Sequence, residues 1–179
     1  MDTASYLKGK HVCLRAVEPE DLDFIYEVEN DPAHWEATDF SVPYSRYMLR
    51  QYLQSTQCDI YADRQLRLLM VETDSGKPVG MADLTDYSPL HGRAEVGILV
   101  QKPWQGRGYA REALEMVCRY AFGFLHLHQL GAKVVADNEP SLRLFRACGF
   151  QTCGVLKEWW RVDGQFKDVV MMQKINCNI

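Results

Sequence analysis

The spacing of apolar residues changes several times along the chain, and each change predicts a new element. Alternating apolar residues predict a first strand from His11 to Val17. Pro19 then favours the start of a helix that ends near Asn30, with Leu22 and Ile25 at helical spacing. The chain therefore opens with a strand followed by a helix.

The next region combines a second helix with strands of the antiparallel kind. Ser45 is placed to cap a helix in which apolar residues recur four positions apart. The apolar runs LRLLMVE and 79–84 flank turn-forming residues at 74–78, which indicates a hairpin. A loop with the sequence SPLHG then leads to a further alternating strand, Arg93 to Val100.

The second half of the chain contains the longest amphipathic helix. From Gly108 to Phe124 the apolar residues form one helical stripe. A short strand around 132–135, a helix over 140–148 and a hairpin around 162–165 follow. The predicted order is β-α-α-β-β-β-α-β-α-β-β, and we interpret residues 1–179 as one domain.

Composition and charge narrow the function classes. A length of 179 residues with 47% hydrophobic residues suits one domain with a core, and the absence of long apolar runs predicts a cytoplasmic protein that does not enter a membrane. Six cysteines without a CxxC pair predict reduced thiols and no metal site. A net charge of -4 argues against nucleic acid as a partner.

A glycine-containing segment lies between the predicted strand at 93–100 and the long helix. Backbone N–H groups of Gln105, Gly106, Arg107, Gly108, Tyr109 and Ala110 are placed to meet an anion at the helix N-terminus, and a pyrophosphate is the ligand that this arrangement favours. A P-loop would need GxxxxGK followed by Ser or Thr, which is absent. A dinucleotide fingerprint would need a glycine where Arg111 stands.

Two ordered motifs resemble the GNAT superfamily of N-acetyltransferases. The acetyl-CoA motif of that family is matched by Gln105, Gly108 and Ala110. The segment DNEPSLRLFRACGF resembles its second signature, an asparagine followed by an amphipathic helix that ends in Gly-Phe, through Asn138, Gly149 and Phe150. Similarity to the branch with spermidine and ribosomal-protein N-terminal acetyltransferases extends over LRAVEPEDLDFIYEVEND, RAEVGILV and GVLKEWWRVDGQFKDVVMM.

The resemblance implies an α/β (α+β) fold with a mixed, mostly antiparallel central sheet that is splayed at the acetyl-CoA site. It also implies which residues bind the co-substrate acetyl-CoA. Ile98, Leu99 and Val100 would pair with pantetheine, residues 105–110 would hold the pyrophosphate, and Asn138 would contact CoA from the far side. Arg107, Arg111 and Arg146 would meet phosphates or remain solvated, and Phe145 would pack beside the donor.

Acetyl transfer requires a neutral amine and a leaving thiolate, so a base for the amine and a proton donor for the sulfur are expected. Glu95 shares a strand face with Gly97 and Leu99 and is the candidate base, with a salt bridge to Arg93 or another sheet residue as the alternative. The family mechanism would place an oxyanion donor at the N–H of Leu99.

The proton donor to the leaving group departs from the family pattern. Many members have a tyrosine where Phe145 stands in this chain. Ser141, one helical turn earlier, is the candidate substitute, and its alternative role is to satisfy backbone groups at the helix start.

Acidic and aromatic residues predict an ammonium-binding acceptor site. The N-terminal helices and loop supply Glu29, Asp31, Trp35, Glu36 and Asp39. The family resemblance adds Tyr87 and Glu158, which would lie near other walls of the substrate site. The acidic run that precedes the Pro-Tyr pair in spermidine acetyltransferases is replaced here by residues 38–42, which leaves fewer carboxylates for a polyamine.

Three hypotheses about function follow. The chain acetylates a small primary amine such as a polyamine, acetylates the N-terminus of a ribosomal or other protein, or binds acyl-CoA without catalysis. A homo-oligomer is compatible with the sequence in each case.

Overall fold

The elements of the fold follow the predicted order. A computed structural model describes residues 6–35, 43–56, 59–162 and 164–177. Its strands are β1 (Val12–Ala16), β2 (Leu66–Glu72), β3 (Pro78–Ser88), β4 (Arg93–Val100), β5 (Gln129–Val135), β6 (Gln151–Val162) and β7 (Gln165–Ile175). Its helices are α1 (Leu22–Glu29), α2 (Pro32–Trp35), α3 (Arg46–Ser55), α4 (Ile60–Asp63), α5 (Tyr109–Gly123) and α6 (Glu139–Ala147), with 3-10 turns at Pro19–Asp21 and Lys102–Trp104.

The predicted strands and long helices are confirmed, and the mixed, mostly antiparallel sheet is confirmed with them. The four-residue helices α2 and α4 were not predicted, because a single turn is too short to show a helical period. Among the described residues, no helix has the length and apolar character that a membrane span requires.

One seven-stranded sheet has the order β1-β2-β3-β4-β5-β7-β6. Every neighbouring pair is antiparallel except β4 and β5, which run parallel. These two strands pair only at Arg93 with Gln129, Ala94 with Leu130 and Glu95 with Gly131. Beyond Glu95 the two strands separate, and the sheet opens between them.

Helices cover both faces of the sheet. α5 packs on one face, where Leu114 and Val117 join the buried cluster that contains Val96 of β4. α1 and α3 pack on the opposite face, where Ile25 joins a cluster against which Leu99 packs. Since strand side chains alternate, Glu95 and Gly97 lie with Leu99 on the face of α1.

A buried carboxylate fixes the start of α1 on β1. Both oxygens of Asp21 accept hydrogen bonds from Arg15, at 2.7 and 2.8 Å, and Oδ2 also accepts the N–H of Glu18 at 2.8 Å. Burial alone would raise the pKa of Asp21, but the bonds from Arg15 and Glu18 outweigh it and leave the pKa below its ordinary value. The carboxylate therefore stays ionised and holds the helix that forms one wall of the site.

Candidate active site

The opening between β4 and β5 widens into a cleft of about 660 Å³. The structure brings together here most of the residues predicted to bind the donor: Ile98, Leu99, Val100, Gln105, Gly106, Gly108, Tyr109, Ala110, Asn138, Ser141 and Phe145. The other end of the cleft is bounded by α1, α2, β2 and β3 and includes Glu29 and Trp35. We call these two ends the donor half and the acceptor half.

The glycine loop ahead of α5 has the geometry of an anion site. Gly106 and Gly108 have φ values of 76° and 84°, a conformation that side chains other than glycine rarely adopt. Gly108 is the N-cap of α5 and provides no side-chain hydrogen bond, so the first-turn N–H groups remain available at the positive end of the helix. A pyrophosphate fits this loop.

The side chains of the loop contribute differently from the prediction. Tyr109 is buried, and its hydroxyl donates to Glu72 Oε1 at 2.5 Å. Bonds from Ser75 and Tyr109 lower the pKa of Glu72, while Glu72 raises the pKa of Tyr109. Arg107 lies over the Trp104 ring at 4.7 Å and outside the cleft lining. Tyr109 therefore braces the loop, and the side chain of Arg107 does not reach the donor half in this conformation.

Two other polar residues near the loop form bonds to neighbouring groups of the protein. The Gln105 amide donates to the carbonyl oxygen of Val100 at 2.9 Å, which ties the loop to the end of β4. Arg111 lines the cleft while it pairs with Glu115 at 2.9 Å. Arg146 is exposed and does not line the cleft. Arg111 is thus the arginine of the three that lies at the donor half.

The pairing of β3 with β4 determines which backbone groups face the opening. Gln101 N–H donates to Val79 O at 2.9 Å, and Leu99 pairs with Met81 in the same register. Alternate residues of a strand direct their N–H groups to opposite sides. The N–H of Leu99 therefore faces β3, whereas those of Ile98 and Val100 face the opening, so an oxyanion donor at Leu99 does not fit this pairing.

Glu95 forms an ion pair at the point where β4 and β5 separate. Its Oε1 and Oε2 atoms lie 2.9 and 3.0 Å from Lys133 Nζ. Lys133 lines the cleft and Glu95 does not. The alternative foreseen for Glu95, a salt bridge within the sheet, is present, although its partner is Lys133 because Arg93 pairs with Asp86 at 2.6 Å.

The start of α6 forms the far wall of the donor half. Asn138 caps the helix by accepting the Ser141 N–H at Oδ1, at 3.2 Å. Ser141 and Phe145 are one helical turn apart and both line the cleft. Phe145 is buried edge-on against Phe150, with ring centroids 5.0 Å apart. Ser141 is thus the hydroxyl residue on the same helix face as the phenylalanine.

A partly buried arginine that the sequence did not reveal organises the acceptor half. Arg67 donates to Asp83 at 2.9 and 3.1 Å and also to Glu29 Oε1. Burial would lower the pKa of Arg67, but the two carboxylates outweigh it and raise the pKa. The available signal was a charged residue between two apolar neighbours in each strand, at Arg67 in β2 and at Asp83 in β3. These two residues are register partners. Trp35 completes this wall by donating its indole N–H to Glu29 O at 2.8 Å.

Two predicted acceptor residues lie elsewhere. Tyr87 is buried on the α5 face against Tyr61, with ring centroids 5.4 Å apart, and burial together with Tyr61 raises its pKa to about 12. Glu158 lies on the edge strand β6, where its N–H donates to Asp168 at 3.0 Å. Neither lines the cleft, because strand alternation and sheet order direct them away from it. Glu36 and Asp39 lie outside the described residues.

Known proteins resemble this chain along most of its length. Spermidine N(1)-acetyltransferase of Escherichia coli K12 is 29% identical over 164 residues, which cover 90% of this chain and 84% of the relative. The ribosomal protein uS5 alanine N-acetyltransferase of Escherichia coli K12 is 33% identical over 104 residues, 57% of this chain and 53% of the relative.

Solved structures of spermidine N-acetyltransferases are also similar to this chain. Spermidine N-acetyltransferase from Vibrio cholerae in complex with CoA and spermine superposes with a TM-score of 0.84 at 27% identity, over 93% of this chain and 96% of the other. A dodecameric structure of the Vibrio cholerae enzyme gives a TM-score of 0.80 at 27% identity, over 93% and 95% of the two chains.

A family match extends over the whole cleft. The sequence model of the acetyltransferase (GNAT) domain matches residues 11–151, which run from β1 to the end of α6 and include every element that lines the cleft. The chain therefore belongs to the GNAT acetyltransferase family and is an acetyltransferase that uses acetyl-CoA.

Proposed function

We propose that this chain transfers the acetyl group of acetyl-CoA to a primary amine of a polyamine. The observation that carries the proposal is one continuous cleft with an anion-binding loop at one end and an excess of carboxylate at the other. Glu29 and Asp83 share the single guanidinium of Arg67, so this group of three has one net negative charge. That charge suits an ammonium ligand, and the spermidine acetyltransferases named above support this acceptor class.

The donor half would orient acetyl-CoA by backbone contacts. The N–H groups at the start of α5 would hold the pyrophosphate, and those of Ile98 and Val100 would meet the pantetheine and the thioester oxygen. Bound acetyl-CoA supplies the activated acetyl carbon. The protein residues would hold that carbon at the junction between the two halves.

Deprotonation of the amine is the most demanding step. A primary alkylamine with a pKa of about 10.4 is neutral for only about 0.04% of the time at pH 7, a deficit of roughly 4.6 kcal/mol. An α-amino group with a pKa of about 8 has a deficit of only about 1.4 kcal/mol. We propose that Glu95 accepts the proton through water, and that the ion pair with Lys133 orients this carboxylate.

The leaving thiolate needs less help than the amine. Phe145 has no proton to donate, and the Ser141 hydroxyl on the same helix face is our proposed hydrogen-bond donor to the sulfur. A thiol with a pKa near the value of about 8.5 for cysteine leaves without full protonation. The phenylalanine is therefore compatible with catalysis.

The proposal is tested by CoA release from acetyl-CoA in the presence of spermidine, spermine, simple monoamines, amino acids and a peptide with N-terminal alanine. We expect turnover with polyamines and little with the peptide. Turnover with the peptide alone would overturn the polyamine proposal and favour the second candidate, an N-terminal acetyltransferase, which the similarity to the uS5 alanine acetyltransferase supports.

We also propose that the chain forms a homo-oligomer, and the dodecameric Vibrio cholerae relative supports this proposal. Light scattering at several concentrations tests it. The cytoplasmic location stays a prediction from the sequence.

A further inference from the structure

Gly97 occupies an unusual place in the cleft wall. It lies in the middle of β4 on the α1 face, lines the cleft and is the register partner of Asp83. A Cβ atom built at this position meets no heavy atom within 4 Å. Its φ is not in the left-handed range, unlike those of Gly106 and Gly108 in the loop. The backbone therefore does not require a glycine at this position.

Packing does not require a glycine at Gly97 either. A glycine in a strand interior is less favourable than a residue with a side chain, because it is costlier to order and has no side chain to pack. Such a glycine often marks a place where a ligand approaches the backbone closely. The absence of a side chain at Gly97 leaves open space in the cleft at this point.

The surroundings of this space indicate the chemistry that would fill it. Asp83 borders it on the neighbouring strand and is held by Arg67, and Glu29 and Trp35 form the facing wall. One net negative charge beside an aromatic ring suits an alkylammonium group. The reacting amine must lie further along β4, at the opening that Ile98 and Val100 face.

We propose that Gly97 determines acceptor specificity, because the space in front of it admits the non-reacting aminoalkyl arm of the acceptor beside Asp83. This inference rests on the proposed function. It predicts that a side chain at position 97 obstructs a long diamine or polyamine more than a short monoamine. Donor binding is unaffected, since the glycine loop and α6 lie at the other end of the cleft.

The test compares Gly97→Ala and Gly97→Val with the matched control Gly154→Ala. Gly154 is also a strand glycine without a left-handed φ, with no heavy atom within 4 Å of a built Cβ, and it lies on β6 outside the cleft. KM and kcat are measured for spermidine, propylamine and acetyl-CoA, with melting temperatures for all variants.

We expect kcat/KM for spermidine to fall about tenfold in Gly97→Ala and about a hundredfold or more in Gly97→Val, as misfit groups in a specificity pocket do. The values for propylamine and the KM for acetyl-CoA should change by less than about threefold, on the same argument. Melting temperatures should equal or exceed that of the unmodified chain, because a strand glycine is replaced. Gly154→Ala should match the unmodified chain in all kinetic values.

Equal losses for spermidine and propylamine, or a comparable rise in the KM for acetyl-CoA, would overturn the inference. If the unmodified chain acetylates no amine, the proposed function fails, and calorimetric titration of spermidine into the CoA-bound protein decides the inference separately. Binding that weakens at least tenfold in Gly97→Val and not in Gly154→Ala supports it. Absence of spermidine binding, or equal binding by all variants, overturns it.

Discussion

Replacing Arg67 with methionine is expected to destabilise the fold strongly, because it leaves two carboxylates facing each other without a cation. The side chain of Arg67 is 18% exposed, and those of Glu29 and Asp83 are 13% and 26% exposed. Removing one partner of a buried ion pair costs about 3–5 kcal/mol, and the residual exposure here reduces the expected loss to about 2–4 kcal/mol. A domain with a stability of about 5–15 kcal/mol remains folded after this change.

Urea unfolding followed by circular dichroism measures the loss. The matched control is Arg93→Met, since Arg93 pairs with Asp86 in a bridge whose side chains are 39% and 58% exposed. That control should lose less than about 1 kcal/mol. The triple variant Arg67→Met, Glu29→Gln, Asp83→Asn should recover most of the lost stability because no unpaired charge remains. A single variant within about 1 kcal/mol of the unmodified chain, or a triple variant no more stable than the single one, would refute the reasoning.

Three further predictions concern catalysis, acid stability and thiol reactivity. Glu95→Gln should lower kcat by a factor of about 10²–10⁴ and leave CoA binding unchanged. A pH profile of turnover identical to that of the unmodified chain would rule out Glu95 as the base. The pKa of Asp21 is depressed in the folded state, so its stabilising contribution is complete above about pH 4 and is lost as the pH falls through the folded value. Melting temperatures of Asp21→Asn should therefore depend less on pH below about 4, and parallel curves for the two proteins would contradict this. Burial raises the pKa of Cys118 to about 11, so a disulfide reagent at pH 8 should label exposed Cys153 rapidly and Cys118 only after unfolding. Equal labelling rates for Cys118 and Cys153 in the folded protein would contradict the burial of Cys118.

Local patterns in the sequence were sufficient for the order of the strands and long helices and for the position of the glycine loop, whereas the other donor residues were inferred from the family resemblance. The alternation of β4 and the stripe of α5 are properties of neighbouring residues, and the glycine loop is recognisable because it joins them. Gly108 needs no tertiary information either, since its position ahead of an amphipathic helix already indicates a backbone anion site. These features depend on residues that are close together in the sequence.

The acceptor half was harder to predict because its partners come from distant segments. Arg67 meets Glu29 across 38 positions and Asp83 across 16, and Lys133 meets Glu95 across 38. Such pairs depend on strand register and on the angle of a helix, which single-sequence periodicity does not specify. Tyr87 shows the same limit, since its position near the acceptor wall was inferred from resemblance while strand alternation directs it to the other face.

The short contact between β4 and β5 has a consequence for the energetics of the whole domain. Three residue pairs join the β1–β4 part of the sheet to β5, whereas β5 and β7 pair over seven residues. A molecule that fills the opening contacts both parts of the sheet. Ligand binding in the cleft and the stability of the contact between the two parts are therefore linked. A ligand at one hundred times its dissociation constant adds about 2.7 kcal/mol to the stability of the state that binds it. Acetyl-CoA supply would then set how firmly the two parts are held together, and the enzyme would be most resistant to unfolding when its donor is abundant.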